Sequence, residues 1–106
     1  MRSLFNNADS FNQPLGDWDV GEVRVMNFMF AFAGAFDQDL SNWDLSSLTT
    51  MDSMFRQATA FNQNLCDWEF PSTTVSVTDA FESSGCANTD DPDLTATPPG
   101  PLCANC

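Results

Sequence analysis

A period constrains this chain more than any other feature. The octet Phe11-Asn12-Gln13-Pro14-Leu15-Gly16-Asp17-Trp18 recurs as Phe36-Asp37-Gln38-Asp39-Leu40-Ser41-Asn42-Trp43 and as Phe61-Asn62-Gln63-Asn64-Leu65-Cys66-Asp67-Trp68, at equal steps along the chain. The columns continue outside the octet, through Met1, Met26 and Met51, then Leu4, Met29 and Met54, then Phe5, Phe30 and Phe55, then Ala8, Ala33 and Ala58. After Trp68 the register slips by one residue near Pro71, so that Phe55 corresponds to Phe81 and Met54 to Ala80. A unit this short cannot bury an apolar face alone, so its rings and methionines must stack on the equivalent residues of adjacent units. That requirement predicts a solenoid.

Two local patterns suggest what each coil contains. Leu15-x-x-Trp18-x-Val20, Leu40-x-x-Trp43-x-Leu45 and Leu65-x-x-Trp68-x-Phe70 end in strand-like alternation, with the tryptophan and the following apolar residue turned inward. Met51, Met54, Phe55 and Ala58 stand at i, i+3, i+4 and i+7, a helical stripe over residues 50–57, with Thr50 placed as a cap and Asp52 in the first turn. The expected fold class is an α/β repeat solenoid. It is a leucine-rich-repeat-like right-handed coil with one short parallel strand and one short helix per unit of about 25 residues. The units run over a partial 1–10, then 11–35, 36–60 and 61–86, and an irregular Pro- and Cys-containing tail or cap occupies 87–106. Ten phenylalanines and three tryptophans, with no tyrosine, must do most of the holding. Each buried ring removes roughly 150–250 Å² from water, roughly 4–6 kcal/mol before entropy.

These motifs resemble the BspA-like leucine-rich-repeat surface proteins and the related repeats of mycoplasma-type surface lipoproteins, whose unit reads F-N-Q-x-L-x-x-W-D-V-S-x-V-x-x-M-x-x-M-F-x-x-A. The resemblance extends from residue 1 to about 85. It rests on F-x-Q-x-L-x-x-W occurring three times in register and on M-x-x-M-F-x-x-A at Met26 to Ala33 and Met51 to Ala58. It implies a surface-exposed or secreted solenoid serving adhesion or protein recognition, with no enzymatic activity in the repeat. Residues Val77 to Ser84 and the tail depart from the pattern, and no lipobox supports lipoprotein anchoring.

Charge narrows the functional classes. Fifteen acidic residues against three arginines give a net charge of -12, so nucleic acid and anionic membrane are poor partners. The chain has no His, Lys or Tyr, which removes the usual bases and Schiff-base amines, and no nucleophile stands beside a base. The expectation is a protein without enzymatic activity. No stretch approaches a membrane span of roughly 20 apolar residues, and the start MRSLFNNADS has no signal-peptide h-region. Four cysteines in a short chain fit an oxidising compartment, so an extracellular or cell-surface location is expected.

The cysteines are Cys66, Cys86, Cys103 and Cys106, for which three pairings are open. Cys66 with Cys86 is favoured because both lie in or beside the last coil, leaving Cys103 to pair with Cys106. A redox C-x-x-C at the end of a chain, behind Pro98-Pro99-Gly100-Pro101, is a weak reading, and a zinc site lacks its second C-x-x-C. An acidic face is expected from Asp17, Asp19, Asn42, Asp44, Asp67 and Glu69, which flank the tryptophans and point away from the core. It reads first as a solvated surface and second as a calcium site, the one cofactor open to consideration. The columns Asn12/Asp37/Asn62 and Gln13/Gln38/Gln63 read as coil-to-coil hydrogen bonding rather than glycan binding.

Interface candidates come from exceptions to the repeat. Phe28 and Phe32 occupy columns that hold Ser3 and Asn7 in the unit before and Ser53 and Gln57 in the unit after, so with Val25 they predict an exposed apolar patch. Leu4 and Phe5 lie in core columns with no earlier unit in this sequence to cover them. The expected partner is a protein or cell surface, with self-association as the second possibility.

Overall fold

The computed structural model describes all residues 1–106. Its backbone is a string of tight turns. In the second unit, Met29 N donates to Met26 O, Ala31 N to Phe28 O, Ala33 N to Phe30 O, Phe36 N to Ala33 O, Trp43 N to Leu40 O and Leu48 N to Leu45 O, every bond reaching back to the third residue before the donor. The same set recurs one period on, for example as Met54 N to Met51 O and Ala58 N to Phe55 O. Alternate backbone amides within these turns donate to the next unit. Phe28 N reaches Asp52 O at 3.1 Å, Phe30 N reaches Met54 O at 2.8 Å and Phe32 N reaches Arg56 O at 2.8 Å.

This arrangement overturns the expected α/β solenoid of the leucine-rich-repeat type. There is no helix, and the only β features are isolated bridges, parallel at Val25 to Thr50 and Thr50 to Ser76 and antiparallel at Asp93 to Gly100. The molecule is a compact globule of 35 × 28 × 20 Å. The helical reading of residues 50–57 fails for a geometric reason. Two tight turns placed end to end, 51–54 and 55–58, direct their first and last residues inward and so also produce apolar positions at i, i+3, i+4 and i+7. An α-helix needs negative φ throughout and i to i−4 bonds. Here the third residue of each such turn is left-handed, with φ of 56° at Ser53 and 54° at Gln57, and likewise at Ser3, Asn7, Phe28, Phe32, Asp79 and Ser83. Thr50 forms a bridge instead of a helix cap. The strand expected at Trp18 to Val20 does not form, and the residues just before it close a turn in which Trp18 N bonds Leu15 O.

Packing follows the sequence columns. Phe5, Phe30, Phe55 and Phe81 stack at centroid distances of 5.4, 5.3 and 5.5 Å, and Phe11, Phe36 and Phe61 form a second column at 5.8 and 5.9 Å. Within a layer the two columns touch at 4.1–4.3 Å with nearly parallel rings. Methionines 26, 29, 51 and 54 fill the remaining core and are fully buried. The layer offset also locates the irregularity. Ser3 N bonds Asn27 O and Met26 N bonds Thr50 O, whereas Ser53 N bonds Thr78 O and Phe55 N bonds Ala80 O, so the later pairs reach one residue further along the chain. Trp43 and Trp68 still keep the regular step, donating to the equivalent Leu15 and Leu40 carbonyls, so the extra residue lies between Trp68 and Ser76. Beyond it, Gly85 crosses the Thr59 carbonyl so closely that a Cβ there would collide with backbone.

Candidate functional site

The polar columns form ladders. Asp37 N and Gln38 Nε2 both donate to Asn12 Oδ1 at 2.9 Å, and Asn62 N and Gln63 Nε2 repeat this on Asp37 Oδ1 at 3.0 and 2.8 Å. Ala87 N continues the ladder onto Asn62 Oδ1. A second ladder runs from Asn27 to Asp52. Asn27 Oδ1 accepts from Asp52 N and Thr50 Oγ1, and Asp52 Oδ1 accepts from Thr78 N and Ser76 Oγ. These side chains satisfy turn amides that have no partner in a regular sheet.

Asp17, Asp19, Asn42, Asp44, Asp67 and Glu69 are all solvent-exposed. Asp19 and Asp44 accept the backbone N–H two residues on, from Gly21 and Ser46, so their carboxylates brace their own turns. Asp39, outside the expected set, does the same for Ser41, and the backbone and hydroxyl hydrogen bonds from Ser41 hold its pKa below the usual carboxylate range. Asp93 is lowered in the same way by the hydroxyl and the N–H of Thr95. No three acidic or sulfur side chains converge as a metal-ligand set. Asp44, Asp67 and Glu69 instead line an open cleft of about 350 Å³ with Trp43, Phe70 and Pro71. Phe70, in the column of the buried Val20 and Leu45, is only half-buried and meets Trp68 edge-on at 6.4 Å.

The cysteines pair differently from the favoured reading. The bonds are Cys66–Cys106 and Cys86–Cys103, spanning 40 and 17 residues, and no thiol is free. The tail decides this by folding back. Leu65 N donates to Leu102 O and Asn88 N to Cys103 O, which buries Leu102 and Cys103 over the last layer and brings Cys106 beside Cys66. Sequence proximity of Cys66 to Cys86 and of Cys103 to Cys106 carried no information about that reversal.

The interface candidates fall on two separate surfaces. Phe28 is half-buried and Phe32 is 39% exposed, at φ of 57° and 59°. Asn and Asp tolerate this backbone region best; Ser and Gln hold it in other layers, and for a bulky aromatic it is an outlier costing roughly 1–2 kcal/mol. Val25 is half-buried at its bridge to Thr50. In the layer below, Arg56 Nε lies 3.2 Å from Glu82 Oε2, close enough for a surface ion pair though not aligned for a hydrogen bond.

Leu4 and Phe5 belong to the other surface, the N-terminal face. Leu4 is 51% exposed and Phe5 half-buried. Trp18, expected to point inward, is 41% exposed, whereas Trp43 and Trp68 are buried. The difference is one of coverage. Trp43 Nε1 donates to Leu15 O and Trp68 Nε1 to Leu40 O, each at 2.8 Å, in the layer before, whereas none of residues 1–106 accepts from the Trp18 indole in this way.

With this geometry in hand, comparison with known families identifies the repeat, since the model for "Mycoplasma protein of unknown function, DUF285" matches residues 1–93. The chain belongs to the DUF285 family. The match covers the stacked layers and the start of the tail, and it supports the mycoplasma-type half of the resemblance without extending to the BspA-like leucine-rich class. Neither curated proteins nor solved structures yield a match to this DUF285 chain. No helix in it is long and apolar enough to cross a membrane.

Proposed function

We propose that this chain is a non-catalytic recognition module of a secreted or cell-surface protein, which engages a protein partner through the patch at Val25, Phe28 and Phe32. One observation carries the reading. Two phenylalanines occupy left-handed positions where the neighbouring layers place Ser3, Asn7, Ser53 and Gln57. The left-handed turn recurs in every layer, so what sets these two positions apart is the partly exposed rings where neighbouring layers keep polar side chains, and contact with a partner supplies a reason for them. The paired cysteines fit an oxidising compartment, and the net charge of -12 turns the molecule away from nucleic acid and towards neutral or basic protein surfaces.

Photo-crosslinking tests the patch. A photoreactive phenylalanine analogue at Phe32 should capture a protein on intact cell surfaces, while the same group at Gln57, the equivalent position one layer on, should not. The double substitution Phe28→Ser with Phe32→Gln should abolish binding and leave melting unchanged or raised. Equal capture from both positions, or full binding by the double variant, would sink the proposal.

A further inference from the structure

The column Asp19, Asp44 and Glu69 changes its role at the third member. Asp19 Oδ1 accepts from Gly21 N and Asp44 Oδ1 from Ser46 N, each bracing the turn that follows it. The residue two on from Glu69 is Pro71, which has no N–H to give, and the Glu69 carboxylate accepts no hydrogen bond within the chain. Asp67 is equally free, and neither joins the ion pair of Arg56 with Glu82. The bracing that accounts for Asp19 and Asp44 is therefore missing for Glu69.

Both free carboxylates line a groove. The cleft of about 350 Å³ that they share with Asp44, Trp43 and Phe70 adjoins a second of about 320 Å³, the two having Ser46 and Pro71 in common. Residues 41–49 form one wall and 67–75 the other. No hydrogen bond crosses from 41–48 to 67–75, and the amides of Asp44, Leu45, Ser47, Glu69 and Phe70 donate to no acceptor in the chain. An extended segment laid between the walls thus finds main-chain groups that no intramolecular bond occupies. The second cleft presents the hydroxyls of Ser46, Ser72 and Thr74 beside Leu48 and Val75. The first gathers three carboxylates around the half-buried Phe70 ring, and none of the chain's three arginines lines either part.

We propose that this groove binds an extended segment of a partner protein through one arginine. The guanidinium sits between Asp67 and Glu69, whose oxygens accept its N–H groups, with its plane against Phe70. The residues flanking that arginine lie along the hydroxyl-lined part. Three features select this occupant. Uncompensated carboxylates call for a cation. Their free acceptors favour a cation with N–H donors over a quaternary ammonium, which has none. Unpaired backbone on both walls favours a peptide over an isolated amine. The volume of the acidic cleft, near the low end of the roughly 300–1,000 Å³ of ligand pockets, fits one long side chain. Val25, Phe28 and Phe32 do not line the groove, so this contact goes beyond the aromatic patch and either can fail without the other.

Isothermal titration of the intact, disulfide-bonded chain with a capped Gly-Ser-Arg-Ser-Gly peptide at low salt tests the proposal. One-to-one binding is expected, weakening as salt is raised. Citrulline in place of the arginine keeps the shape and loses the charge, and should weaken binding by about 10-fold or more. N-acetylarginine amide, which lacks the flanking residues, should also bind about 10-fold more weakly than the peptide. Asp67→Asn with Glu69→Gln should lower the affinity by about 10-fold or more, with near-ultraviolet circular dichroism unchanged, because neither carboxylate bonds within the chain. Asp17→Asn with Glu22→Gln removes the same charge from exposed positions outside the groove and should leave the affinity within about two-fold. Phe28→Ser with Phe32→Gln should leave it equally unchanged. No binding at low salt overturns the proposal. So does equal affinity for the citrulline peptide, or an equal loss from the two charge-removing pairs.

Discussion

The first layer and the middle layers are built from the same residues and differ in what covers them. Phe30, Phe36 and Trp43 are buried between neighbours, while Phe5, Phe11 and Trp18 make the same contacts with each other and remain partly in water. Burial here is a property of stacking, and the repeat sequence alone does not confer it. The last layer makes the converse point. Its sequence is the most degraded, yet Phe81 and Ala80 are fully buried in one cluster with Cys86, Leu102 and Cys103, the last two from the disulfide-pinned tail. A covering segment without the repeat therefore does for one end what a repeat does in the middle.

The sharpest way to break this comparison is to remove equivalent rings. Phe55→Ala takes away stacking on Phe30, Phe61 and Phe81 and should cost about 3–5 kcal/mol in urea unfolding, whereas Phe5→Ala at the open end should cost about half as much. Equal losses would mean that coverage does not set the energetics. Replacing Cys66 and Cys106 together by serine should cost roughly 3–4 kcal/mol. Hydrogen exchange should rise at Leu65 and in the last layer well before it rises at Met26 to Ala33. If exchange rises uniformly, the tail is no local cover.

The tryptophans give a smaller and cleaner test. Trp68→Phe strands the Leu40 carbonyl in the interior and should destabilise by about 1–3 kcal/mol, while Trp18→Phe should be close to neutral, because its indole N–H has no protein acceptor. The smallest effect is with pH. Asp39 and Asp93 have lowered pKa values in the folded chain, so their ionised forms favour folding. That contribution is complete above the unfolded carboxylate value of about 3.9 and fades as pH falls through the lower folded values. Urea midpoints should therefore decline slightly into acid. Asp39→Asn, which keeps an acceptor for Ser41 N, should flatten part of the decline, and an unchanged slope would count against the assignment.

Much of the stacking was legible because a short, fixed period in Phe, Met and Trp can be buried in few ways. The columns Phe5/Phe30/Phe55/Phe81 and Phe11/Phe36/Phe61, and the slip near Pro71, appear in space as they do in the sequence. Local conformation was not legible in the same way. Met51, Met54, Phe55 and Ala58 satisfy both a helix and a pair of turns, and an apolar pattern reports which residues face inward without reporting φ. The polar columns did hold a hint, since Ser, Asn and Asp recur where the backbone turns left-handed, but Phe28 and Phe32 interrupt it. Expected site residues fared by the same logic. The exposure of Leu4 follows from column and position, whereas the roles of Asp19 and Asp44 in their own turns depend on backbone geometry that spacing does not specify.

The sequence by itself determined which residues share a layer, which columns stack and how strongly the surface is charged, because identity at a fixed period and composition are carried by the residues themselves. The tertiary structure alone decided that the backbone runs in turns, that the tail folds back to pair Cys66 with Cys106 and Cys86 with Cys103, and that Trp18 stands in water while Trp43 and Trp68 do not. Each of these depends on what lies above or below a residue in space, which neither periodicity nor spacing along the chain encodes.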